Sequence, residues 1–404
     1  MNPLHTTRHA SRWLSAAAAL VLAGCGSKTE LLKGPAVKIS GSTAHAAQQI
    51  GFPAIATKNT TRVSGSDPVA DAAGVALAVY PSEASGTHPP VVTIAPTDDW
   101  QATLASSVLM ASPVKAPILL SGSSSLPSAT ADALSVLAPP GSGSTAGAQV
   151  IMVGNVAQPG GLRAVKIPGD NPFALAAAID RFASAAAGRT SSDVIVASAD
   201  DPAYAMPAAG FAAESGDPIL FVSGSSVPPE TRQALLAHQS PRIYVLGPPS
   251  VISQAVVKQL KRLGAVKRVG AEGPAANSVA FAAYRDPPCT PGQPCAHVPG
   301  SFGWALRSPG HGYVLVNAQR TLDAAAAAPL SASGQFGPLL LVNDPSSLPS
   351  AVLNYFLNYA TPGFTQEGPT AAVYNHGWVI GDPQAISVSV QAEMDTLLEV
   401  VPQK

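Results

Sequence analysis

Three segments of the chain are near copies of one another: APILLSGSSSLP from Ala116, DPILFVSGSSVP from Asp217 and GPLLLVNDPSSLP from Gly337. Each sets a proline before an aliphatic run, then a small polar loop, then a second proline. A chain that writes this line three times must repeat the fold unit around it, and nothing else in the sequence constrains the architecture as strongly. Aliphatic runs without polar alternation are covered on both faces, as in a parallel sheet flanked by helices. The line carries no catalytic signature. It reads as the central buried strand of one α/β unit, with prolines marking its two ends.

The surroundings of the line repeat as well. A basic residue and a turn open each unit, in RVSGSDPVADAAGVALAVY from Arg62, KIPGDNPFALAAAIDRFA from Lys166 and RVGAEGPAANSVAFAAY from Arg268. Asp67 returns as Asp170 and Pro172 as Pro274, so the period is about 100 residues, a domain repeat instead of a solenoid of about 20–50. After each head come an Ala-rich helix, a β-branched run (VVTIA, DVIVAS, YVLVN) and a second Ala-rich helix. The repeated line follows, its closing proline suited to a first helical turn. The last strand is VIMVGN, IYVLGPP or WVIGDP. The expected class is α/β, three tandem Rossmann-like parallel-sheet repeats over 60–163, 164–264 and 265–404. SVISQAVVKQLKRLG is an amphipathic helix after the second last strand, with Ile252, Val256, Leu260 and Leu263 on one face. Its counterpart is present in unit three and weak in unit one.

Residues 1–25 read as an export signal. Arg8 and Arg12 precede the apolar WLSAAAALVLAGC, and LAGC resembles a lipobox that would place acyl chains on Cys25. The alternative is an ordinary cleaved signal with a chance cysteine. Residues 26–59 read as a tether. Cys289 and Cys295, in PPCTPGQPCAH, suit a small disulfide ring in an oxidising compartment; a metal site with His297 is the other reading, but zinc normally takes four ligands. With 23 basic against 24 acidic side chains the chain lacks the basic excess of a nucleic-acid binder.

These residues together resemble the bacterial type-two cell-wall-binding repeat. RVSGSD at Arg62–Asp67 matches the family head, and PILL from Pro117, PILF from Pro218 and PLLL from Pro338 match its strand motif. DAAAAAPL from Asp323 resembles its Asp-Ala-Leu helix, and YVLGPPSVIS its final strand and turn. The family's Arg-Tyr after the head Asp is replaced by Pro68, Asn171-Pro172 and Gly273-Pro274, and its helix Asp by Ala102 and Tyr204 in the first two units. The resemblance implies three repeats around a pseudo-threefold axis, binding an anionic wall polymer without catalysis. It points to Arg62, Lys166 and Arg268 and to the strands begun by Pro117, Pro218 and Pro338. Fewer arginines than the family carries would mean fewer bidentate contacts to an anion.

Chemistry outside the resemblance is sparse. Asp98–Asp99 and Asp200–Asp201 follow a strand, where α/β sites often lie, but adjacent Asp residues before a helix also serve as caps. The SGSSS and SGSS loops at Ser121 and Ser223 could cradle an anion or be solvated turns; a P-loop lysine and a nucleophile elbow are missing. No cofactor motif is present. Lys258, Lys261, Arg262, Lys267 and Arg268 form the one basic concentration, either a solvated helix face or a polyanion contact. The sequence thus favours a non-catalytic envelope lipoprotein bridging membrane and wall. A solute-binding lipoprotein and a wall hydrolase remain the rivals.

Overall fold

A computed structural model of the chain describes residues 55–403 apart from 85, 289–300 and 335. Three parallel sheets share one strand order. The first runs Ile118–Ser121, Val92–Pro96, Val150–Val153, Ala164–Ile167. The second runs Ile219–Val222, Asp193–Ser198, Arg242–Leu246, Ala265–Val269. Leu339–Val342, Gly312–Asn317, His376–Ile380 and Thr60–Val63 make the third, to which Ile55–Ala56 adds an antiparallel strand.

The repeated line is therefore an edge strand, not the central one. It is fully buried yet bonded on one side only, to the β-branched strand that occupies an inner position. Burial on both faces produces the same aliphatic run at the edge as at the centre, so composition could not separate the two. The prolines do fit an edge. Carbonyls of Pro117, Pro218 and Pro338 accept from the N–H groups of Thr93 (2.9 Å), Ile195 (3.0 Å) and Val314 (3.1 Å), while the missing proline N–H is not needed by any ladder.

A second departure concerns the basic heads, which are strands and not only turns. Each joins the sheet of the preceding unit. Ala164–Ile167 completes the first sheet, Ala265–Val269 the second, and Thr60–Val63, from the start of the described chain, completes the third. Equivalent hydrogen bonds fix the register: Gly154, Gly247 and Gly381 donate N–H to the carbonyls of Ile167 (2.9 Å), Val269 (2.8 Å) and Val63 (2.9 Å). These glycines turn the chain with φ of +63°, +118° and +93°, conformations that a Cβ disfavours. The exchange closes into a cycle whose third junction has no peptide link across it.

Helices fill the space between the sheets. Asp67 caps Pro68–Val79 through bonds from Val69 and Ala70, and Asn171 caps Pro172–Ala187, both with proline in the first turn. Each packs on the Ala-rich helix of the unit whose sheet its head completes: 68–79 on Thr321–Ser331, 172–187 on Trp100–Ala105. The Ala-rich helices, including Pro207–Ser215, meet one another in the centre, where Ala324–Ala328 are fully buried. Small side chains permit this approach: a Cβ on Gly210 would fall 2.6 Å from Ser331 Oγ. Gln254–Leu260 is the amphipathic helix after the second sheet, burying Val256, Val257 and Leu260, with Lys258 exposed. Val388–Leu397 is its counterpart in the third unit, and the first unit passes from Val153 to Ala164 without one.

Candidate functional site

The aligned basic residues occupy three different settings. Arg62 is fully buried. Its Nε donates to Gln391 Oε1 (2.9 Å), Nη1 to the carbonyls of Gly381 (2.8 Å) and Asp382 (3.1 Å), and Nη2 to that of Ser387 (3.2 Å). Burial lowers its pKa to about 10, opposed by the nearby Asp382 and Asp71 carboxylates. Arg268, half-buried, makes the same clamp with two bonds, to Gly247 O (2.6 Å) and Ile252 O (2.7 Å). Lys166 is exposed, because the GNVAQPG turn after the first sheet does not wrap back to offer carbonyls. Lys261 and Arg262 are exposed between Gln254–Leu260 and Ala265–Val269. Pro117, Pro218 and Pro338 are buried at strand starts. Cys25, Cys289, Cys295 and His297 lie outside the described residues.

Where each head helix meets its Ala-rich partner, the three junctions differ in chemistry. At the third-to-first junction Arg320 Nη2 donates to Asp71 Oδ2 (2.7 Å) and its Nε lies 2.6 Å from Asp323 Oδ2. Both carboxylates are fully buried. Burial pushes Asp323 up to about 7, against the pull of Arg320, and pushes Asp71 well above the usual range, with the Asp323 charge adding to it. Leu175 and Ala102 take the two Asp places at the next junction, Asn277 and Tyr204 at the last. There Asn277 Nδ2 donates to Tyr204 O (3.2 Å), and Gly273 N donates to the Tyr204 hydroxyl (2.9 Å).

The paired acids divide in role. Asp99 Oδ1 accepts from Ala102 N (2.9 Å) as a helix cap. Asp200 Oδ2 instead accepts from Gly224 N (2.7 Å), so a backbone N–H of the SGSS loop already faces an internal carboxylate.

A cavity of about 690 Å³ opens at the starting ends of the second sheet's strands. Asp193, Asp217, Glu214 and Trp304 stand on its walls with Phe211 and Arg189. Asp193 and Arg242 begin neighbouring strands in register, and Nη2 of Arg242 donates to Asp193 Oδ2 (2.5 Å). Ser191 Oγ donates to Asp217 Oδ1 (2.5 Å). Burial raises Asp217 to about 6, partly offset by this bond. Pro218 also lines the cavity, so one of the three strand-motif prolines borders it. Lys261 and Arg262 precede Ala265–Val269 at the same end of the same sheet, two strands from Asp193–Ser198 and so about 10 Å along it. Sequence reasoning missed Asp193, Asp217, Glu214 and Trp304.

Comparison with known proteins agrees with this architecture. Residues 166–257 match the family described as cell wall binding domain 2 (CWB2). Among solved structures, Cwp8 from Clostridium difficile superposes with a TM-score of 0.62 at 18% identity, covering 85% of this chain and 52% of that one. Cwp6 from Clostridium difficile gives 0.62 at 15% identity, covering 83% and 48%. The chain thus spans about half the length of each, and at such identity the likeness is one of fold. No curated protein matches the chain. With the strand motif, the head and the repeated sheet already in place, the match over 166–257 identifies that segment as a cell wall binding domain 2 unit.

Proposed function

We propose that the protein is a non-catalytic, extracytoplasmic binding protein that holds a cell-wall polymer and is tethered to the membrane by acyl chains on Cys25. One observation carries the reading. The segment that matches the wall-binding family, 166–257, supplies most of the walls of the cavity, from Asp180 through Pro218. The exposed Lys261 and Arg262 at the same end of the sheet would attract an anionic polymer, with a reach of about 8 Å at physiological salt. Arg62 and Arg268 serve the turns beside them and are not the polymer contacts of this proposal.

Co-sedimentation of the purified chain with cell walls tests it. Retention that falls several-fold on Lys261→Glu with Arg262→Glu, and as salt rises, supports the polyanion contact. Retention unchanged by both removes that contact, and failure to sediment at any salt removes the reading. The cavity volume also suits a free small solute, the second reading. Binding of small solutes without any affinity for walls would select it, and release of label from peptidoglycan would show a hydrolase instead.

A further inference from the structure

Asp193 and Asp217 belong to the second unit alone. By strand register the places of Asp193 are Val91 and Gly312 in the other sheets, and those of Asp217 are Ala116 and Gly337. The fold therefore forms without a carboxylate at either position. Placing two there, 7% and 9% exposed, costs desolvation that packing does not require. Both lie on the cavity wall.

The polar groups around them are incompletely satisfied. Asp193 Oδ2 accepts from Arg242 and from Ser192 Oγ (2.9 Å), but its buried Oδ1 has no hydrogen-bond partner. Trp304, 7% exposed, keeps a buried indole N–H without an acceptor. One buried acceptor and one buried donor thus remain unspent on residues that line the cavity, each of a kind normally paired in proteins. Trp304 meets the edge of Phe211 at 5.3 Å and lies nearly parallel to Phe336 at 6.4 Å, so the same wall carries aromatic surface. Glu214 and Arg189 are exposed at the rim.

We infer that this cavity holds one neutral or amine-bearing sugar unit of the polymer, with hydroxyl or ammonium hydrogens toward Asp193 and Asp217 and a ring face toward Trp304 and Phe211. Hydroxyls both donate and accept, so a sugar can meet the free carboxylate oxygen and the free indole N–H together. A phosphate or uronate could not, since it brings a second negative charge against Asp193, Asp217 and Glu214. The inference rests on reading the chain as a polymer-binding protein. It separates two jobs on one sheet end: cations outside meet the polymer's charge, and acids inside take an uncharged or cationic unit.

Saturation-transfer NMR and tryptophan fluorescence on the full chain, with glucose, glucosamine and glucose 6-phosphate as probes, test the assignment. Glucose or glucosamine binds, and glucose 6-phosphate is at least about tenfold weaker. Glucosamine ahead of glucose marks an amine-bearing unit, and the reverse a neutral one. Trp304→Phe keeps a ring and removes the donor, weakening the sugar about fivefold or more. Glu214→Gln, a change at the exposed rim, narrows the margin against the phosphate. The inference fails if neither sugar binds the folded chain, if glucose 6-phosphate binds best, or if Trp304→Phe leaves sugar binding unaltered and Glu214→Gln leaves the margin against the phosphate unaltered. Wall sedimentation that persists without sugar binding sinks this inference and spares the polymer reading. Sugar binding without sedimentation does the opposite.

Discussion

Asp71 and Arg320 are 249 residues apart in the chain, and their side chains meet at 2.7 Å. They join the first head helix to the Ala-rich helix of the third unit, across the one junction of the cycle that no peptide link holds. The same seam carries the four-bond clamp of Arg62, the bond from Asn59 N to Asp395 (2.7 Å) and the Lys58–Glu399 ion pair. Polar contacts thus concentrate where chain connectivity is missing. Removing Arg320 leaves Asp71 and Asp323 buried without their cation, so Arg320→Met should cost about 3–5 kcal/mol in urea unfolding. Replacing all three by Arg320→Met, Asp71→Leu and Asp323→Ala, after the apolar Leu175–Ala102 junction, should recover most of it. A triple variant no more stable than Arg320→Met would show that the ion cluster does not set the cost.

The three aligned heads rank themselves by how much backbone they hold. Arg62→Met strands three carbonyls and the Gln391 side chain, for an expected loss of about 3–5 kcal/mol. Arg268→Met strands two carbonyls and should cost about 1–3 kcal/mol. Lys166→Met, on an exposed side chain, should stay within about 0.5 kcal/mol. Chemical unfolding of the three variants gives the order directly, and equal losses would overturn the assignment of different settings.

A buried pair in the second unit makes stability depend on pH. His238 Nε2 lies 2.8 Å from Asp180 Oδ2, and its Nδ1 lies 2.8 Å from Ser191 O. Both ring nitrogens face acceptors, an arrangement that favours the doubly protonated ring. Burial opposes that charge, but the bond and charge of Asp180 outweigh it and raise the His238 pKa above its ordinary value. A group with a raised folded pKa stabilises fully below its unfolded value, about 6.5, and the contribution is lost as pH rises through the folded value. Unfolding free energy should therefore fall from pH 6.5 upward in the wild type and much less in His238→Asn. Parallel pH profiles for the two proteins would remove this role.

Much of this was legible because it is local. The prolines at the strand starts and the Ala-rich helices announce themselves within a few residues. The cap that answers Asp67, by contrast, is Asn171 and not the Asp170 that the repeat spacing paired with it. Pairing partners do not announce themselves. Thr60–Val63 is four residues long, and its neighbour in the sheet, His376–Ile380, comes from the far end of the chain. Nothing near Arg62 says that it will be buried while Lys166 is not. That difference lies in the turns GDPQAIS and GNVAQPG, which offer carbonyls in one case and none in the other. Asp193 and Asp217 did leave a signal: superposing the copies shows acids where Val91, Gly312, Ala116 and Gly337 stand.

The centre of the molecule depends on close packing of small residues between helices, and Gly210 is where this can be tested most directly. It sits in Pro207–Ser215 against Ser331 and Leu339 of the third unit. An added methyl would lie 2.6 Å from Ser331 Oγ, closer than real Cβ contacts come, and 3.0 Å from its Cβ, tighter than nearly all of them. Rotating the hydroxyl relieves only the first contact. The helices must then separate by a few tenths of an ångström, and the Ala324–Ala328 face loses its fit along its length. Helix propensity works the other way, since Ala is better than Gly in a helix interior by about 1 kcal/mol. The overpacking term of about 1–3 kcal/mol is larger, so Gly210→Ala should destabilise the protein. Gly210→Ala combined with Ser331→Ala should regain part of the loss, whereas a Gly210→Ala protein as stable as wild type in urea would mean the central helices have room to spare.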